Sequence, residues 1–197
     1  MTSSTPPRES DDDFVVGGQD RELTPQQQFD QINWYFQEHY PIVDLEDWLA
    51  RLPDRLVHAA MMQLGSAVGH EWPGTEFTAG VSVQDHALGT LIAPSGVGGE
   101  PDVVASFGRP PGPATDNFYL PLVAAVAALS GKRILATTRV ADARPLAEIG
   151  WGFGEGCPLI EDAGFDTVIL TRPDQQYVAT PAAYREEMQA VARLMKD

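Results

Sequence analysis

The chain cannot form a disulfide within itself, because its 197 residues include a single cysteine, Cys157. That excludes the stapled scaffolds of small secreted domains and fits a thiol-reducing compartment. Long apolar runs are missing as well; none nears the ~20 residues that a membrane-spanning helix needs. The first ten residues, MTSSTPPRES, lack a basic segment followed by an apolar one, the pattern of a secretory signal. A soluble, cytoplasmic protein is expected. Positive charge is scarce: 13 Lys and Arg stand against 28 Asp and Glu, a formal net charge of −15. Such a field repels nucleic-acid phosphates and anionic lipid, so neither nucleic acid nor a membrane is expected as a partner. It would steer a basic protein inward.

What is present suffices for a core. Hydrophobic residues make up 43% of the chain and aromatics 9%, while 18 Gly and 16 Pro predict many loops and short elements. Residues 1–13, rich in acids and nearly free of apolar side chains, read as a disordered tail, with a single α+β domain over 14–197. Thr24-Pro25 with Gln27 has the form of a capping box, and Phe29, Ile32 and Phe36 share one helical face. Short and longer helices are expected over 44–52 and 54–68, the latter striped by Leu56, Ala60, Leu64 and Val68. The apolar period then changes to two. Strands are expected over 77–83 and 87–93, as a hairpin turning at Gln84-Asp85-His86, and then over 102–108. A helix over 118–129 capped by Gly131, a strand over 133–138 and a short helix near 142–149 follow. Strands over 166–171 and 176–180 precede a last helix started by Thr180-Pro181 and striped by Tyr184, Met188, Val191 and Met195. The pattern is α+β, a mixed and largely antiparallel sheet flanked by helices.

Catalytic and metal-binding signals are thin. Ser95 lies outside a G-x-S-x-G elbow, Cys157 has no basic neighbour, and His39, His58, His70 and His86 form no H-E-x-x-H. His58 lies opposite the helical stripe, at the surface. "SGKR" (130–133) lacks the first glycine of a phosphate-binding loop and has Arg133 in place of Ser/Thr. "GWGFGEG" (150–156) follows a helix, not the strand that a dinucleotide loop requires, and is expected to tuck Trp151 and Phe153 inward. Cys157 reads as a structural thiol, and no metal is expected.

Arg109, Gly112 and Ala114 match R-x-x-G-x-A in the loop between strand 102–108 and the helix after it. On these residues and on the order of elements, the chain resembles the GCN5-related N-acetyltransferases. In that family a Q/R-x-x-G-x-G/A loop binds the coenzyme A pyrophosphate through backbone N–H groups and a helix start. The resemblance implies an acyl-CoA N-acyltransferase-like enzyme with those three residues at the cofactor. The sequence departs from it at Pro110, Pro111 and Pro113, which remove three N–H donors. Pro121 and "TDN" imply a late helix start, and "RPLAEIG" lacks the tyrosine that the family often uses as general acid. The residues themselves read as a rigid surface connection that holds no cofactor.

The acidic stretch 36–48 carries the leading reading. Glu38, Asp44, Glu46 and Asp47 stand among Phe36, Tyr40 and Trp48, so aromatic anchors are ringed by one sign of charge. Glu38, Tyr40, Asp44, Glu46, Asp47 and Trp48 are the candidate interface of a non-catalytic binding protein for a basic protein partner. An inhibitor or immunity-type role is one version. The plainer alternative is that the aromatics are core and the acids a wet helix face.

Overall fold

Two Thr-Pro pairs start the first and last helices. In the computed structural model, which describes residues 23–65, 71–72, 78–106, 111–137, 147–150, 166–169 and 177–196, both caps form. Helix α1 (Pro25–His39) opens with the Thr24 hydroxyl accepting from Gln27 N–H at 3.3 Å, while the Gln27 side chain accepts from Thr24 N–H at 2.9 Å. Helix α5 (Pro181–Leu194) opens with the Thr180 hydroxyl accepting from Ala183 N–H at 3.0 Å. Between them run α2 (Leu45–Ala50), α3 (Leu52–Leu64), β1 (Val81–His86), β2 (Gly89–Pro94) and β3 (Val103–Ser106). A π-helical segment (Thr115–Tyr119) leads into α4 (Leu120–Ser130), followed by β4 (Ile134–Thr137), β5 (Ala147–Gly150) and β6 (Asp166–Ile169).

The sheet is mixed, in the order β1-β2-β4-β3-β5-β6. β1–β2 and β2–β4 pair antiparallel, whereas β3 pairs parallel with β4 and β5, and β5 with β6. The α+β class and the mixed sheet hold, but the sheet is not largely antiparallel: among the described strands three of the five pairs are parallel, because β3, β4, β5 and β6 all run the same way. β3, α4 and β4 form a strand–helix–strand unit, because neighbouring parallel strands need a crossover and a helix supplies it. α4 is apolar all round, as its place demands: it packs on β1, β2 and β4 and also against α5. Leu122, Val123, Ala125 and Val126 are buried with Ile92, Val103 and Ile134 from the sheet and Tyr184, Met188 and Val191 from α5. Leu135 and Val104, on the alternate positions of β4 and β3, are fully buried too.

Several local expectations are corrected. The hairpin turns at Ala87-Leu88, so Gln84, Asp85 and His86 belong to β1. The His86 ring Nδ1 accepts from Leu88 N–H at 3.2 Å and supports that turn. Residues 78–80 form a 3-10 turn, not strand, and residues 177–180 lie outside the sheet. Residues 147–150 are β5 instead of the end of a helix, with Ala147 to Gly150 paired along both β3 and β6. The helix expected to start late begins at Pro113, with Asp116 N–H bonded to Gly112 C=O at 3.1 Å. Its π turn, in which Leu120 N–H reaches Thr115 C=O, brings the chain to Pro121 without a break. Pro121 has no N–H to give, and the wider turn admits it inside the helix. The tail 1–13, Arg109, Trp151, Phe153 and Cys157 lie outside the described residues.

The start of β4 is tied to the start of β3. Arg133 donates to Asp102 Oδ2 from Nε at 2.8 Å and from its backbone N–H at 2.9 Å, and from Nη2 to Oδ1. These bonds from Arg133, against a smaller opposing effect of burial, hold the Asp102 carboxyl at about 2 instead of 3.8. A depressed carboxyl stabilises the fold above its unfolded pKa and loses that contribution as pH falls through the folded one. The stability difference between wild type and Asp102→Asn is therefore expected to be full above pH ~4 and to shrink toward pH ~2. Urea denaturation across that range checks it; a difference independent of pH would show that Arg133 does not favour the ionised form.

Candidate functional site

Two places merit comparison. The first is the loop at the carboxyl end of β3, where open α/β sheets commonly hold ligands. Of its three motif residues, Gly112 and Ala114 are described, and an anion already sits on them. The Glu46 carboxylate, from α2, accepts from Ala114 N–H at 2.9 Å, and a Cβ built on Gly112 would lie 2.6 Å from Glu46 Oε1. Glu46 thus caps the helix beginning at Pro113, where the partial positive end of the helix favours a carboxylate. Replacing Glu46 by alanine is expected to cost about 1–2 kcal/mol of stability, the usual worth of a lost cap plus a charge-assisted bond. Chemical denaturation measures it, and a cost under ~0.5 kcal/mol would mean that water replaces the carboxylate without loss.

The second place is a groove of about 430 Å³ lined by Asn33, Phe36, Gln37, Tyr40, Pro41, Ile42, Trp48, Tyr177 and Val178. Residues 33, 36, 37 and 40 follow helical spacing, so the last turns of α1 present them on one side. Pro41 then turns the chain out of the helix. α2 brings Trp48 beneath, and the extended segment before α5 supplies the far wall. The ring centroids of Phe36 and Tyr40 are 5.4 Å apart, those of Phe36 and Trp48 5.8 Å, and those of Trp48 and Tyr177 5.9 Å. All three pairs meet edge to face, the favourable arrangement for aromatic quadrupoles. Hydrogen bonds fix the walls: Trp48 Nε1–H donates to Tyr40 C=O at 2.7 Å, and the Tyr184 hydroxyl donates to Tyr177 C=O at 2.5 Å.

The six candidate interface residues divide here. Trp48 is 3% exposed and belongs to the core, touching the groove from below. Tyr40 is half-buried at the lip, and its hydroxyl lies 3.2 Å from His58 Nδ1 on the α3 side. Burial, and after it Tyr35, raises the Tyr40 phenol above its ordinary value, while the Arg55 guanidinium 4.9 Å from the ring centroid acts the other way. Tyr40 therefore stays neutral. Asp44 caps α2 by accepting from Asp47 N–H at 2.7 Å, and Asp47 pairs with Arg51 at 2.8 Å on an exposed face. Such an exposed pair adds little to stability. Glu46 serves the helix start at Pro113, and Glu38 is exposed. His58 is at the surface as expected.

The sequence reading missed Asn33, Gln37, Tyr177 and Val178. The first two were legible from the α1 period; the last two were taken for a strand and come from 137 residues beyond Tyr40 in the chain. Beside the groove, Ile42 is 55% and Val43 93% exposed, unusual exposure for large apolar side chains. From Asp30 to Asp54 the chain carries six acids and one arginine. Among the described residues no group of three or more His, Cys, Asp or Glu could hold a metal ion, and no helix is long and apolar enough to cross a membrane. Comparison with protein families, curated proteins and solved structures finds no match for this chain.

Proposed function

We propose that the protein is a non-catalytic binding protein that docks a basic protein partner at the groove between α1, α2 and the Tyr177–Val178 segment. The observation that carries this reading is the coincidence of an open aromatic groove, two exposed apolar side chains and a predominantly acidic charge field in the same stretch. A rigid apolar pocket supplies the anchor, and the surrounding carboxylates speed encounter and exclude acidic competitors. An inhibitor or immunity-type role follows if the partner is itself an enzyme. The acyl-CoA alternative requires Glu46 to leave Ala114 N–H before a pyrophosphate can take its place.

The test is a photo-crosslinker placed at Val43, with a second at Val83, which is 61% exposed on β1. In the host cell, position 43 is expected to capture a basic protein that position 83 does not. The rate of association with that protein should fall several-fold as salt is raised, because long-range steering is screened. No adduct at 43, an acidic adduct, or the same adduct from both positions would overturn the reading.

A further inference from the structure

We infer that the exposed face of α3 is a site for a soft monovalent cation, copper(I), held by the His58 imidazole and the Met61 and Met62 thioethers. The inference stands apart from the docking reading above. Met61 is 57% and Met62 62% exposed, whereas Met188 of α5 is fully buried, the usual place for a thioether that fills a core. The exposed pair follows exposed His58 by three and four residues. That spacing is one helical turn, which sets the side chains on one face with Cβ atoms about 5–6 Å apart. Leu52, Leu56, Ala59 and Ala60 are the buried side of the same helix, so core packing does not account for the trio.

The donor types choose the metal. Two thioethers and an imidazole are neutral ligands, and thioether sulfur selects copper(I) over the harder divalent ions. Among the described residues no group of three His, Cys, Asp or Glu offers those harder ions a donor set. His58 is already oriented: its Nδ1 lies 3.2 Å from the Tyr40 hydroxyl, and the Tyr35 ring flanks it with centroids 6.1 Å apart. With the metal on Nε2, Nδ1 keeps its proton and donates it to the Tyr40 oxygen, the outer hydrogen bond that metal-binding histidines typically make. Met61 and Met62 lie in the last turn of α3, which holds no basic residue and where the helix dipole favours a cation. The nearest arginine in sequence, Arg55, has its guanidinium over the Tyr40 ring, and Asp54 stands beside it one turn before His58. The acids from Asp30 to Asp54 draw cations toward this side of the molecule.

The experiment titrates Ag⁺, a redox-stable stand-in for copper(I), into the full chain with isotope-labelled Met methyl groups. Cys157→Ser removes the competing thiol; in the unsubstituted chain the first equivalent goes to that thiol and the second reports the site. One equivalent in the serine variant is expected to shift the Met61 and Met62 methyl resonances and to leave that of buried Met188 in place. Copper(I) affinity, read anaerobically by competition with bicinchoninate, should fall at least ~10-fold in His58→Ala and in the double variant Met61→Leu, Met62→Leu. Leucine keeps the apolar surface, so only loss of the thioethers is tested. Tyr40→Phe should weaken binding ~10-fold while both methyl shifts persist, as expected of a positioning residue. Shifts confined to Met1, or an affinity unchanged in the double variant, would overturn the site. So would Zn²⁺ binding as tightly as copper(I), because a lone imidazole would then suffice.

Discussion

Trp48→Ala is expected to lower stability by about 3–5 kcal/mol, the range for removing a large aromatic side chain from a packed core. The indole is 3% exposed and wedged between Phe36 and Tyr177, with centroids at 5.8 and 5.9 Å. Truncation opens a void where α1, α2 and the segment before α5 meet. It also strips the Tyr40 carbonyl of the indole donor 2.7 Å away. Trp48→Phe separates the two contributions: most of the ring packing survives, and the expected cost is about 1–2 kcal/mol for the lost bond and reduced volume. Equilibrium denaturation in urea reads both. A loss below ~1.5 kcal/mol for the alanine variant would place the indole at the surface in solution, where truncations cost little.

Gly89→Ala is expected to cost about as much, 3 kcal/mol or more, by steric conflict and backbone strain together. Gly89 opens β2 directly after the hairpin turn, at φ +155°. A Cβ there would lie 2.1 Å from the Ala136 carbonyl oxygen and 3.2 Å from Thr137 Cα, both backbone atoms of β4. Neither can step aside without separating the antiparallel ladder in which Thr90 pairs with Ala136. Gly96→Ala is the control: its φ is +83°, but a Cβ would meet nothing within 4 Å. It should cost only about 1 kcal/mol, the penalty of left-handed backbone alone. Equal losses at the two positions would show that the approach of β4, unlike the conformation, plays no part at Gly89. Thermal melts with matched urea curves distinguish these outcomes.

The helix starts were legible because their causes are local. Thr24 with Gln27, and Thr180 with Ala183, satisfy first-turn N–H groups within three residues of chain, and the pattern alone announces them. Gly131 closes α4 for the same kind of reason, since its φ of +77° suits a residue without a Cβ. The apolar runs of β3 and β4 also identified themselves, because strands buried on both faces read as continuous Val, Ile, Leu and Ala. At the groove, the period of α1 and the aromatics of 36–48 already marked one wall.

Partners distant in the chain were a different matter. Alternation of side chains specifies a face but not a neighbour, so sequence could not show that β2 pairs with β4 and that β3 lies on the far side of β4. Residues 147–150 carry too few apolar side chains to declare a strand by themselves, and pairing with β3 and β6 on either side makes them one. Pro121 argued for a late helix by a local rule, yet the π turn at Thr115–Tyr119 absorbs it. Glu46 reads as one more surface acid until the fold sets it on Ala114 N–H, 68 positions away. The sequence by itself determined the caps, the apolar faces and the acidic field, because each arises within a few residues. Only the tertiary structure decided which acids are occupied, which tryptophan is core and where Tyr177 closes the groove, because those depend on backbone groups and rings meeting from opposite ends of the chain.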